Sequence, residues 1–197
     1  MTDTKPRKIV GEWDLGYALD LHTSSSELLG YDQYGHPQFD TTRTELGELL
    51  YRAKYQKDNK ALDAIAKIAG DFVSSRNWDI DFIVPVPPSD TERQHQPVFM
   101  LAHRISAILG KPVCKDCIVK VKETPQLKNV YDYAERLKLL KGTFEVNKDM
   151  LRNKKVLLLD DLYRSGATLN AITKALLSKG SAEKVYALAI TMTRSKK

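Results

Sequence analysis

The chain has 197 residues, enough for one well-buried core, and its 42% hydrophobic and 28% charged content is that of a water-soluble globular domain. No apolar run is long enough to span a bilayer and the first five residues lack the apolar core of a secretion signal, so a cytoplasmic setting is expected. The formal charge of +6 is concentrated: twelve basic against six acidic residues between Lys111 and Lys155 account for all of it, which suits a pyrophosphate-bearing sugar or a nucleic-acid backbone.

Residues 1–43 are expected to form an elaboration packed on a domain of residues 44–197. Residues 8–11 read as a short strand, residues 13–21 mix aromatics with acids, and residues 30–37 are rich in turn formers. The segment is too apolar for a disordered tail. His22 and His36 stand alone and fit surface or satisfied polar roles. Residues 44–55 carry Leu46, Leu49, Leu50 and Ala53 at helical spacing, and residues 60–75 carry Leu62, Ile65, Ile68, Ala69, Phe72 and Val73 on one face. Asp58-Asn59 separates the two helices.

Phe82-Ile83-Val84-Pro85-Val86 reads as a buried strand ending in Pro87 and Pro88, either of which can supply a cis bond at low cost. Ligands of open α/β sheets bind at strand C-termini. There Ser89, Thr91 and Arg93 offer donors for phosphate oxygens, and His95 is the best-placed histidine for a functional role. Residues 98–109 read as a helix stopped by Gly110. Cys114 and Cys117 form the chain's one Cys-x-x-Cys, too few ligands for a structural zinc unless two chains share it. They precede a strand rather than a helix, so small apolar positions explain them better than a redox pair. Next come a basic strand at 118–122, a loop at 123–126, a helix at 131–140 containing Arg136, and a strand at 141–146.

The richest stretch follows. Val156-Leu157-Leu158-Leu159 has nothing polar in it and reads as a strand covered on both faces, the pattern of a parallel sheet. Asp160 and Asp161 end it, and Arg164, Ser165, Gly166, Ala167 and Thr168 lead into a helix at 169–179. A helix N-terminus offers free N–H groups and a positive dipole end to an anion. Acids beside such a cradle fit a sugar phosphate: loop amides, Ser165 and Thr168 take the phosphate, and the carboxylates accept from vicinal ribose hydroxyls. Helix capping explains one acid and one hydroxyl, but not the whole group. No Gly-Lys-Ser/Thr follows, which excludes a Walker loop. Residues 184–190 form the last core strand.

The run from Val156 to Thr168 resembles the PRPP (phosphoribosyl pyrophosphate) signature of type I phosphoribosyltransferases. The resemblance covers about residues 45–195 and is nearest to the ComF branch. The segment ending in Lys54-Tyr55, Arg93 ahead of Leu101-Ala102, the basic strand with Thr124-Pro125-Gln126, Arg136, and Gly142-Thr143-Phe144 occur in a similar order there. ComF's Gly-Phe-Asn-Gln after the arginine is replaced by Gln94-His95-Gln96-Pro97, and the cysteines of its N-terminal zinc ribbon are not in this chain.

The resemblance implies a mostly parallel central sheet flanked by helices, with a hood or lid at about 117–146. It implies Mg²⁺-dependent displacement of pyrophosphate from PRPP by an acceptor, Asp160 and Asp161 fixing the ribose and stabilising positive charge. Arg164, Ser165, Gly166, Ala167 and Thr168 would hold the 5′-phosphate; Pro87, Pro88, Ser89 and Arg93 would lie at pyrophosphate; Lys120, Lys122 and Arg136 would act from the lid. Arg164 departs from the Thr or Asp of many members and cannot be a base at neutral pH, so ordinary purine salvage is not expected. Two classes remain: a transferase of unspecified acceptor, or a non-catalytic PRPP or nucleotide 5′-phosphate sensor, or single-stranded-DNA-associated protein, of the ComF type acting in DNA uptake or processing. These domains often pair, so a homodimer is compatible with either.

Overall fold

A computed structural model describes residues 3–88, 96–124, 130 and 132–194. β1 (Arg7–Lys8) and β2 (Leu15–Leu21) come first, then a ribbon of β3 (Thr23–Tyr31) and β4 (Pro37–Arg43). α1 (Glu45–Tyr55) and α2 (Asn59–Ser75) start where the sequence offers caps: Thr44 Oγ1 accepts from Gly47 N–H at 3.0 Å, and Asp58 Oδ1 from Ala61 N–H at 3.1 Å. β5 (Phe82–Pro85) is followed by α3 (Pro97–Leu109), which stops at Gly110 with a left-handed φ of 64°. β6 (Ile118–Lys120), α4 (Tyr133–Leu140) and β7 (Phe144–Val146) make an excursion in which the two strands pair antiparallel around the helix. α5 (Lys148–Leu151), β8 (Lys155–Tyr163), α6 (Ala167–Ser178) and β9 (Lys184–Met192) complete the chain.

The central sheet has the order β1-β2-β9-β8-β5. Every pairing from β2 to β5 is parallel, and β1 closes the edge antiparallel. Beyond β5, Val113 bridges to Ile83. Helices cover both faces, which is why β8 reads as an unbroken apolar run. Val156 and Leu158 enter the layer beneath α6 with Val84, Val185, Leu169 and Ile172. Leu157 and Leu159 enter the opposite layer with Leu46 and Leu50 of α1, Leu62 and Ile65 of α2, and Leu101 and Ile105 of α3. Leu157 and Leu158 are wholly buried, each worth about 2 kcal/mol relative to exposure.

Several sequence expectations change. β8 runs past the two acids to Tyr163, because β9 is long enough to pair Leu162 with Thr191 and Tyr163 with Met192. Residues 13–21 contain a strand of the central sheet, with β2 lying beside β9 from Leu15 to Leu21. The described residues contain no cis peptide bond, so Pro87 and Pro88 turn the chain in the trans form; Val86 N–H still donates to Leu159 O at 2.9 Å. Cys114 and Cys117 are buried, as small apolar positions would be, but they are joined as a disulfide. Among the described residues, no helix is long and apolar enough to cross a membrane.

Candidate functional site

Side chains on a strand alternate faces. Asp160 continues the even-numbered series of Val156 and Leu158, and Asp161 continues the odd-numbered series of Leu157 and Leu159. The adjacent acids therefore face different neighbours. Asp160 lies on the α6 side and lines a cleft of about 90 Å³ together with Leu162, Arg136 and the loop from Tyr163 to Leu169. Asp161 turns to the α1 side, where its Oδ2 pairs with Lys54 Nζ at 2.6 Å.

The electrostatics follow from this split. Burial, then the neighbouring Asp161 charge, push Asp160 up to about 7, although N–H groups of Asp161 and Leu162 and the Lys54 ammonium pull the other way. Asp161 N–H donates to Asp160 Oδ1 at 2.8 Å. Burial alone would depress Lys54, but the Asp161 carboxylate outweighs it and holds the ammonium above its ordinary value. His22 hydrogen-bonds Thr191 Oγ1 through Nδ1 at 3.1 Å; burial first, then the charges of Arg43 and Lys54, hold it below the usual imidazole range. His36 is an exposed turn residue beside Asp32, so neither histidine lines the cleft.

The loop between β8 and α6 favours glycine at its end. Gly166 has φ 76°, and a Cβ there would stand 2.9 Å from the Tyr163 ring. No side chain caps α6, so its first N–H groups have no side-chain acceptor at the cap, and Ala167, Thr168 and Leu169 of its first turn line the cleft. Those groups and the dipole behind them favour an anion. Ser165 and Thr168 lie on the same loop and first turn, while Arg164 is exposed.

Among the described residues, Arg136 of the excursion hydrogen-bonds this loop. Arg136 is 8% exposed and donates from Nη1 to Ser165 Oγ at 2.7 Å and from Nε to Val130 O at 2.6 Å. α4 is pinned in that position. Asn170 of α6 donates to the Tyr133 hydroxyl at 3.0 Å and accepts from Glu12 N–H at 2.8 Å through its carbonyl oxygen.

Arg136, Asp160, Arg164, Ser165, Gly166, Ala167 and Thr168 thus come together around one cleft. Lys120 and Lys122 lie at the end of β6 and just beyond it, and are not among its lining residues. Pro87 and Pro88 follow β5, half-buried and outside the lining. Ser89, Thr91, Arg93, His95, Pro125 and Gln126 lie outside the described residues. Lys54 enters the sequence reading only within a segment that carries the resemblance, with no role given, yet it follows Leu50 by four residues on the apolar stripe of α1, where a lysine asks for a buried partner. Tyr133 and Asn170 were missed as well.

No group of three His, Cys, Asp or Glu side chains able to hold a metal occurs among the described residues. Mg²⁺ needs few protein ligands when substrate phosphates supply the rest, and the Asp160 carboxylate, which lines the cleft, is compatible with that.

No family model matches the chain. The structure resembles adenine phosphoribosyltransferase of Trypanosoma brucei, solved with AMP, pyrophosphate and ribose-5-phosphate, at a TM-score of 0.52 and 13% identity, covering 96% of this chain and 75% of that one. The chain has the type I phosphoribosyltransferase fold. Within that fold it is ComF-like. It is 28% identical over 148 residues to competence protein ComFC of Bacillus subtilis (strain 168), a match that spans 75% of this chain and 59% of that relative's length.

Proposed function

We propose that this chain binds PRPP and, with Mg²⁺, transfers the phosphoribosyl group to an acceptor with release of pyrophosphate. The observation that carries this reading is the shared cleft of Asp160 and the uncapped N-terminus of α6, with Arg136 fixed above the loop. A carboxylate for hydroxyls and a cationic amide nest for a phosphoryl group, at two ends of one space, match a phosphorylated ribose better than a plain nucleotide base. In the reaction the acceptor's lone pair forms a bond to C1 while the bond from C1 to pyrophosphate oxygen breaks, its electrons leaving with pyrophosphate.

Asp160 accepts from the ribose hydroxyls, and Asp161, held by Lys54, adds negative potential behind the ring as positive charge builds on it. Arg164, Ser165, Gly166, Ala167 and Thr168 hold the 5′-phosphate, and Arg136 adds a charge-assisted donor. Pro87, Pro88, Ser89 and Arg93 belong to the pyrophosphate side, and Lys120 and Lys122 to a lid that limits water. When bound, Mg²⁺ would supply neutralisation of the leaving pyrophosphate, with Asp160 as the protein carboxylate that would hold it. The setting is cytoplasmic.

Calorimetry with PRPP and Mg²⁺, followed by a pyrophosphate-release assay over candidate acceptors, tests the proposal. Arg136→Ala should weaken PRPP binding by about tenfold to a hundredfold, the worth of a hydrogen bond to a charged group. Absence of binding heat, or binding indifferent to both Arg136→Ala and Asp160→Asn, sinks it. Binding without turnover on any acceptor leaves a PRPP sensor. A second reading, association with single-stranded DNA, is favoured by the basic stretch from Lys111 to Lys155 and by the competence role in the relative's name. Salt-sensitive DNA binding that survives Asp160→Asn/Asp161→Asn would support it.

A further inference from the structure

Asn170 is a buried polar residue just behind the anion cradle. Its backbone N–H closes the first turn of α6 on Gly166 O at 2.8 Å. Its carboxamide faces two ways, accepting from Glu12 N–H at 2.8 Å and donating to the Tyr133 hydroxyl at 3.0 Å. A main-chain N–H can only donate, so Oδ1 must lie toward Glu12 and the NH₂ group toward Tyr133. The turn that carries Glu12 is itself held on this helix. Lys174 Nζ lies 3.3 Å from Glu12 Oε1, and the Trp13 ring stands edge-on to Tyr163. Asn170 therefore has one orientation, and that orientation fixes the Tyr133 hydroxyl.

Tyr133, Arg136, Leu137 and Leu140 follow one another at spacings of three, one and three residues, which puts them on one stripe of α4. The stripe is divided. Leu140 is buried and Leu137 packs on the same layer, so the far end of α4 is anchored by apolar contact. The near end is anchored by hydrogen bonds, from Asn170 to Tyr133 and from Arg136 to Ser165. Arg136 is nearly buried, and its acceptors there, Ser165 Oγ and Val130 O, are both neutral. A guanidinium buried against neutral acceptors is stabilised by an incoming anion, provided it is held where the anion arrives.

Resting on the reading that this cleft takes PRPP, we infer that Asn170 is a positioning residue for the phosphoryl group. It holds Tyr133, Tyr133 holds the first turn of α4, and that turn presents Arg136 at the Ser165 loop. Asn170 touches no ligand itself and acts through Arg136. Its effect on binding is therefore present only while Arg136 is there to be aimed, whereas a residue that merely supports the fold would act with or without that arginine.

Titration calorimetry of the full chain with PRPP and Mg²⁺, run as a double-mutant cycle, reads the difference. Tyr133→Phe takes one hydroxyl from a residue that is 42% exposed. It should weaken binding about threefold to tenfold, the worth of a neutral hydrogen bond. In the Arg136→Ala background the same change should weaken it less than about twofold. Asn170→Leu should do the same, and where that variant does not fold Tyr133→Phe alone carries the test. Without ligand, hydrogen exchange of residues 133–140 should quicken in Tyr133→Phe while α2 is unchanged. An equal loss of affinity in both backgrounds overturns the inference. So does wild-type affinity, or wild-type exchange of α4, in Tyr133→Phe. Inorganic phosphate is the second probe. If wild type takes up phosphate but not PRPP, the proposed function falls and the cycle run on phosphate decides the role of Asn170; if it takes up neither, both fall.

Discussion

Replacing Gly166 with alanine tests the loop at its tightest point. The backbone there is left-handed, at φ 76°, which costs a residue with a Cβ about 1–2 kcal/mol. The new methyl would stand 2.9 Å from the Tyr163 ring. That ring cannot retreat freely, because it lies edge-on to Trp13 with centroids 6.3 Å apart; overpacking of this kind adds about 1–2 kcal/mol. The total of about 3 kcal/mol corresponds to a fall of roughly 6–12 °C in Tm for a chain of this size. Gly110→Ala is the control. It has φ 64° but nothing within 4 Å of the added methyl, so only the backbone cost of about 1–2 kcal/mol applies. Calorimetric melting of both variants separates the two contributions, and PRPP titration should show affinity lost in Gly166→Ala alone. Equal melting of the two variants would refute the packing of Tyr163 over the loop and, with it, the shape assigned to the anion cradle.

Three further outcomes follow from the same geometry. Asp160 titrates near 7 in the folded chain against 3.8 for an ordinary carboxyl. The folded state then holds a proton that the unfolded state has lost, so stability falls as pH rises through that window. Asp160→Asn should be more stable than wild type near pH 8 and little different near pH 4, and Tm curves that stay parallel would contradict this. Lys54→Met strands the Asp161 carboxylate in a largely buried place, at a cost of about 3 kcal/mol in urea denaturation. Adding Asp161→Asn should recover much of that loss, and strict additivity would mean the pair is not coupled. Reducing the Cys114–Cys117 disulfide opens a very short ring; chain-entropy reasoning limits the loss to about 2 kcal/mol, and a reductant that unfolds the protein would show the bond holds far more than its ring.

The parts of the fold that were legible in the sequence are those written in local chemistry. Thr44, Asp58 and Gly110 stop or start helices through their own side chains or lack of one. The apolar run before Asp160 announced a strand covered on both faces. β2 was missed because Asp20, buried and accepting from Leu21 N–H, breaks its apolar pattern. The length of β8 was missed because it is set by β9, not by its own residues. At the site, the acid pair and the loop were legible, but not their separation. Period-two alternation sends Asp160 to the cleft and Asp161 to Lys54, and reading it needed only the strand to be continued through the acids. The bond from Asn170 to Tyr133 joins residues 37 apart in sequence, and no local pattern encodes it.

Consecutive carboxylates on one strand belong here to separate neighbourhoods, and that gives the molecule two dials joined through their charges. Asp160 and the turn after it can be rewritten to change what is admitted, while the latch between Lys54 and Asp161 continues to tie α1 to the sheet. An engineer seeking a different guest should start on the α6 side and leave the other acid alone.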